Sequence, residues 1–203
     1  MRLLPCGDTG LLVELDDLDQ VTGLHAALRA TAPAGVVDLV PAARTLLVRF
    51  DPARVDRATV EHAVSTARPV ESTRTDSDVV EIPVRYDGDD LADVAALLGL
   101  TPREVIAAHV NASWSVAFGG FAPGFGYLTA PTWPHDVPRR SESRTAVPEG
   151  SVALAGGFSG VYPRSSPGGW QLVGRTDVTL WDTTREPPAL LRPGVRVRFV
   201  EVS

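Results

Sequence analysis

Residues 118–131 read FGGFAPGFGYLTAP, and here Phe118, Phe121, Phe125 and Tyr127 alternate with Gly119, Gly120, Pro123, Gly124 and Gly126. No other stretch limits the fold as strongly. A helix does not tolerate this density of glycine and proline, and a disordered linker does not carry four aromatics. The backbone has to bend tightly while it holds rings. The same texture continues downstream: eleven of the chain's eighteen glycines lie between Gly119 and Gly174. Short apolar runs at 151–155, 170–173, 178–181 and 195–200 are separated by Gly/Pro turns. Short strands punctuated in this way predict a compact β-barrel or sandwich.

The first part of the chain follows a different pattern. GLLVEL at 10–15 reads as a strand, and residues 18–30 place Leu18, Val21, Leu24 and Leu28 at helical spacing. GVVDLV at 35–40 and TLLVRF at 45–50 read as two strands joined by a short turn, with Asp51-Pro52 stopping the second. Residues 56–67 form a second amphipathic helix with Val60, Ala63 and Val64 inward. Strand, helix, two strands and helix predict two helices packed on one face of a sheet. ESTRTDSD at 71–78 holds no apolar residue and marks the expected boundary. The organisation expected is therefore a small α/β N-terminal domain at 1–74 and a mainly β domain at 75–203. The second opens with an alternating strand, VVEIPVRY at 79–86, and an apolar helix at 90–98 that ends at Gly99. Thr101-Pro-Arg-Glu104 is a capping box with proline in the first helical position, which predicts a helix over 102–110.

Composition narrows the chemistry. No apolar run approaches the roughly 18 residues of a membrane span, and the opening MRLLPCGDTG is broken by Pro5 and Asp8, unlike a secretory leader. The single Cys6 rules out an internal disulfide and a cysteine-built zinc site. These features point to the cytoplasm. A net charge of −6 with no basic run argues against nucleic acid as partner. All nineteen basic residues are arginine. Codon bias explains that plainly, yet the consequence stands: a P-loop lysine, a Schiff-base lysine and a Ser–Lys dyad are excluded within the chain. His25, His62, His109 and His135 show no metal-ligand spacing, so no metal is expected.

Three stretches carry residue types suited to a site. In the first, Pro123-Gly124 makes a bend flanked by Phe121, Phe125 and Tyr127. The rings either wall a pocket for a small planar substrate, with the Tyr127 hydroxyl as polar handle, or fill a barrel corner. The second, 138–152, offers Arg139, Arg140 and Arg144, either as bidentate holders of a carboxylate or phosphate or as surface arginines paired with Glu142 and Glu149. The third, 155–176, contains Ser165-Ser-Pro-Gly-Gly-Trp, whose glycines either aim N–H groups at an anion or let chain pass close to chain. His109 ends the capped helix just before the aromatic bend, as an acid–base group or as a charge at the helix C-terminus.

Together these stretches resemble one family. FAPGFGYL at 121–128 is similar to its F-x-P-G-F-x-Y-L signature, and Pro138-Arg-Arg, VPEGSV at 147–152 and VYP…SPGGWQLVGRT within 161–176 resemble its later blocks in the same order. GDTGLLVE at 7–14 resembles its opening. The family contains the B component of the bacterial three-component 5-oxoprolinase, the sporulation-kinase inhibitor KipI, allophanate hydrolase subunit 1 and part of urea amidolyase. The resemblance implies an α+β N-terminal domain followed by a mainly β, cyclophilin-like barrel. It implies a homologous C subunit and an A subunit as partners in opening 5-oxo-L-proline to L-glutamate, with ATP used by the complex and not necessarily bound by this chain. His109, Tyr127, Arg139 and Arg140 are the expected catalytic groups. Phe121, Pro123, Phe125, Arg144, Ser166, Gly168, Gly169, Gln171 and Arg175 are the expected substrate contacts. One departure stands out: Phe158-Ser159 replaces the family's usual Gln-Thr.

Overall fold

The computed structural model describes residues 1–68 and 79–203, so the polar boundary expected at 71–78 lies outside the described residues. Contacts divide the chain into two compact units, Met1–Arg74 and Thr75–Ser203.

The first unit is a four-stranded antiparallel sheet, ordered β1 (Arg2–Pro5), β2 (Gly10–Glu14), β4 (Thr45–Phe50), β3 (Val36–Pro41), with helices α1 (Leu18–Thr31) and α2 (Arg57–Thr66). Asp17 and Asp56 start the helices by accepting the N–H of Gln20 and Thr59, satisfying donors that a helix start leaves open. Leu11, Val13, Leu46 and Val48 meet Val21, Leu24, Leu28, Val60 and Val64 in one core. β1 has no counterpart in the sequence reading, because Pro5 and the short apolar run disguise it.

The second unit is mixed α/β around a nearly closed, barrel-like sheet. Its strands are β5 (Val79–Val84), β6 (Trp114–Gly119), β7 (Gly126–Thr129), β9 (Ser151–Ala155), β10 (Phe158–Val161), β12 (Gln171–Arg175) and β13 (Arg196–Glu201). They run in the order β12-β9-β10-β7-β6-β13-β5. Among the described residues of this sheet the β13–β5 pair is parallel and the other pairs are antiparallel. The two ends of the sheet meet just beyond β5, where Arg85 and Arg175 exchange both backbone hydrogen bonds at 2.9 Å. Two further strands, β8 (Arg144–Val147) and β11 (Ser166–Gly168), form a separate antiparallel ribbon. Helices α3 (Leu91–Leu98) and α4 (Pro102–Asn111) pack on each other, α3 also on β12 and α4 on β13. The capping box at Thr101 and Glu104 is present with both of its bonds. The apolar run at 178–181 is not a strand; it contributes one isolated bridge, Trp181 to Ala189.

Side chains alternate across a strand, so the barrel sheet has two distinct faces. Val152, Leu154, Val161, Leu128 and Val173 point into the interior core. Their neighbours Ala153, Ala155, Tyr127, Phe158 and Leu172 point outward, where they join Phe125, Tyr162 and Trp170 in a second apolar layer. On β6 the alternation is interrupted. Trp114 and Val116 face inward, but a register shift between Val116 and Phe118 sets Phe118 opposite Tyr127. The extra residue re-aims the ring, as β-bulges do, and Phe118 stacks on Tyr127 with centroids 4.4 Å apart.

Candidate functional site

The interior and the outer face share residue types but differ in access. His109 is fully buried. Its place follows from α4, where Val105, Ile106 and His109 form the inner face at i, i+1 and i+4. Nδ1 is 2.7 Å from the Tyr86 hydroxyl and Nε2 is 2.8 Å from Ser159 Oγ. Rings of Trp114, Trp133 and Phe199 surround it, and its carbonyl accepts the Trp114 indole N–H. Burial pushes the imidazole down to about 3 and pushes the Tyr86 hydroxyl up, with the charge of Glu201 adding to the latter. The imidazole has both nitrogens engaged and no solvent contact. The structure thus places His109, expected as an acid–base group, in the interior core and not on the outer face. Ser159 faces the core, and Phe158 turns outward against Phe118 and Tyr127.

On the outer face the aromatic bend forms as its sequence suggests. Phe121 has φ +64, the one non-glycine residue with positive φ among those described, and its side chain is 57% exposed. A left-handed phenylalanine costs of order 1–3 kcal/mol, and such strain concentrates at functional sites. Its ring is edge-on to Phe125 and Tyr162. Phe125 is buried, with its ring against Tyr127, Tyr162 and Trp170. Pro123 is exposed and Tyr127 half-buried. Burial raises the Tyr127 and Tyr162 hydroxyls, and the charge of Arg139 opposes that rise in both.

The arginines separate sharply. Asp90, buried at the start of α3, accepts four hydrogen bonds. They come from Arg140 at 2.6 Å, from both terminal nitrogens of Arg144 at 2.8 and 2.9 Å, and from the Leu172 N–H at 2.7 Å. Burial opposes ionisation of Asp90, but the Arg144 and Leu172 hydrogen bonds and the charges of Arg144 and Arg140 outweigh it and lower its pKa. Arg140 and Arg144 are thus tied to Asp90, and not to Glu142 or Glu149. Arg139 is exposed, has no acidic partner among the described residues, and lines a cleft of about 530 Å³ with Pro138, Arg140, Ser141, Gln171 and the α3 residues Asp93, Ala96 and Leu97.

At the glycine turn the chain passes close to its neighbours. A Cβ at Gly168 would collide with the Tyr162 hydroxyl, and one at Gly169 would lie 2.9 Å from Ser143 Oγ and 3.4 Å from an Arg139 guanidinium nitrogen. The Gly169 carbonyl accepts the Arg140 N–H. Gln171 donates to the Pro138 carbonyl at 3.1 Å and so fixes the segment that carries Arg139. Ser166 is buried and donates to the Arg164 carbonyl. Arg175 stands at the other end of β12, paired with Asp87 at 2.7 Å, apart from this group. The structure therefore brings together Phe121, Phe125, Tyr127, Arg139, Gly168 and Gly169, ties Arg140 and Arg144 into a lock, and sets His109 and Arg175 elsewhere. Asp90, Tyr162 and Trp170 lie against these residues and were not among the expected contacts.

Comparison with known proteins gives a consistent result. Residues 1–191 match the family described as carboxyltransferase domain, subdomain C and D. The chain is 38% identical to the B component of 5-oxoprolinase from Escherichia coli O157:H7, over 96% of this chain and 93% of that one. It is 36% identical to the B component of 5-oxoprolinase from Bacillus subtilis (strain 168), over 97% and 91%. Among solved structures, TTHA0988 superposes with a TM-score of 0.76 at 38% identity, covering 96% of this chain but only 40% of that longer one.

Proposed function

Because the chain belongs to the carboxyltransferase-domain family, subdomains C and D, we propose that it is the B component of an ATP-dependent 5-oxoprolinase. It would open 5-oxo-L-proline to L-glutamate together with a homologous C subunit and an A subunit in the cytoplasm. The observation that carries this reading is near end-to-end identity of 36–38% with two proteins of that name. The match to 40% of a longer chain supports a unit that works beside further polypeptide. We take residues 1–74 and 75–203 as its two domains, the second a cyclophilin-like barrel.

The outer aromatic face of the barrel receives the substrate in this proposal. A five-membered lactam is flat, and the half-buried rings beside the exposed Phe121 offer a wall for it. Tyr127 supplies a hydroxyl at the wall, with Arg139 the charge beside it. A lactam is a stable amide; phosphorylation of its oxygen by ATP makes the ring carbon electrophilic enough for water to add, breaking of the C–N bond then opens the ring with the nitrogen taking a proton, and a second water hydrolyses the acyl phosphate to glutamate and phosphate. With no lysine in the chain, a P-loop lysine is not among its residues. The nucleotide is accordingly assigned to the complex. Reconstituting the three subunits and measuring ATP-dependent glutamate release tests the proposal. Release should require this chain, and full release without it would overturn the reading.

A further inference from the structure

Of the three arginines in the 138–144 segment, Arg144 gives one buried acid both terminal nitrogens and Arg140 gives it one. Asp90 takes a bidentate fork from Arg144 and a 2.6 Å bond from Arg140. A buried carboxylate so held keeps its charge and its partners, since breaking such a pair leaves an uncompensated charge. Arg139, between them and Pro138, is turned the other way. Its guanidinium lies against Gly169, where a side chain would crowd it, and its charge is felt by Tyr127 and Tyr162. It also lines the cleft beside α3. Asp93 occupies the α3 wall of that cleft, so an anion is favoured on the Gly169 side, away from Asp93.

We infer that Asp90 withdraws Arg140 and Arg144 from ligand binding and leaves Arg139 as the single anchor for a substrate carboxylate, making this a site for small cyclic monocarboxylates. This rests on the proposed 5-oxoprolinase reading and goes further by naming the residue that reads the acid. A guanidinium meets a carboxylate with two parallel N–H bonds, and lysine replaces that fork only with a point charge.

The test uses the reconstituted three-subunit enzyme with wild-type chain, Arg139→Gln and Arg139→Lys. Steady-state kinetics on 5-oxoproline are measured beside competitive inhibition by 2-pyrrolidinone, the same ring without its carboxylate. Arg139→Gln should raise KM for 5-oxoproline about 10- to 100-fold, the scale of one lost charged hydrogen-bond pair, with kcat little changed. Arg139→Lys should fall between. Inhibition by 2-pyrrolidinone should be the same in all three. A KM unchanged in Arg139→Gln, or equal weakening of both ligands, would overturn the inference. If the wild-type complex releases no glutamate at all, the broader functional reading fails instead.

Discussion

The two faces of the barrel sheet use nearly the same residues to different ends. Inside, Trp114, Trp133, Phe199 and His109 pack out of reach of solvent, and the His109 nitrogens are closed by Tyr86 and Ser159. Outside, Phe118, Tyr127, Phe158 and Trp170 pack about as closely ring to ring, yet Tyr127 and Phe158 remain half-exposed and Phe121 stands out on a strained backbone. β10 shows the division within neighbouring residues: Ser159 bonds the core histidine while Phe158 faces the outer layer. Polar groups sealed inside specify a core; polar groups left at the edge of an aromatic layer are available to a ligand.

The largest effect should come from inside. Trp114→Ala removes a buried ring and the donor to the His109 carbonyl, and should cost about 3–5 kcal/mol in denaturant unfolding. A loss under about 1 kcal/mol would blur the distinction between the faces.

Acid should act on the same face. His109 titrates near 3 when folded and near its ordinary value of about 6.5 when unfolded. Below that value the unfolded chain binds the extra proton and the folded one does not. Stability is therefore full above about pH 6.5 and falls as pH drops toward 3, by up to about 1.4 kcal/mol per pH unit. Asp90, with its lowered pKa, extends the loss below the ordinary carboxylate range. Melting temperatures of wild type and His109→Gln across pH 4–8 check this; the variant should show the shallower slope.

These tests also show which parts the sequence made readable. The helices were legible because their signals are local: the Thr101–Glu104 box lies within one turn. The inward position of His109 was available from Val105 and Ile106 on the same helical face. The Asp90 lock was not legible. Its partners lie 50, 54 and 82 residues away, and nothing around Asp90 distinguishes it from Asp89. The outward turn of Phe118 depends on a bulge that no local pattern marks, and the strand expected at 178–181 gives way to a loop that leaves Trp181 part-exposed.

A smaller effect is expected at the bend. Phe121→Gly relieves a left-handed phenylalanine and removes an exposed ring, so stability should stay within about 1 kcal/mol of wild type. A loss of 2 kcal/mol or more in thermal unfolding would make Phe121 a core residue instead.

The most direct measurement is Tyr127→Phe in the reconstituted enzyme, with glutamate release and melting temperature recorded on the same preparation. The ring stack on Phe118 survives the change, and only the hydroxyl is lost. An outer face that handles substrate predicts turnover at low substrate reduced about tenfold or more at an unchanged melting temperature. Wild-type turnover, or a lowered melting temperature with proportionate loss, would contradict it.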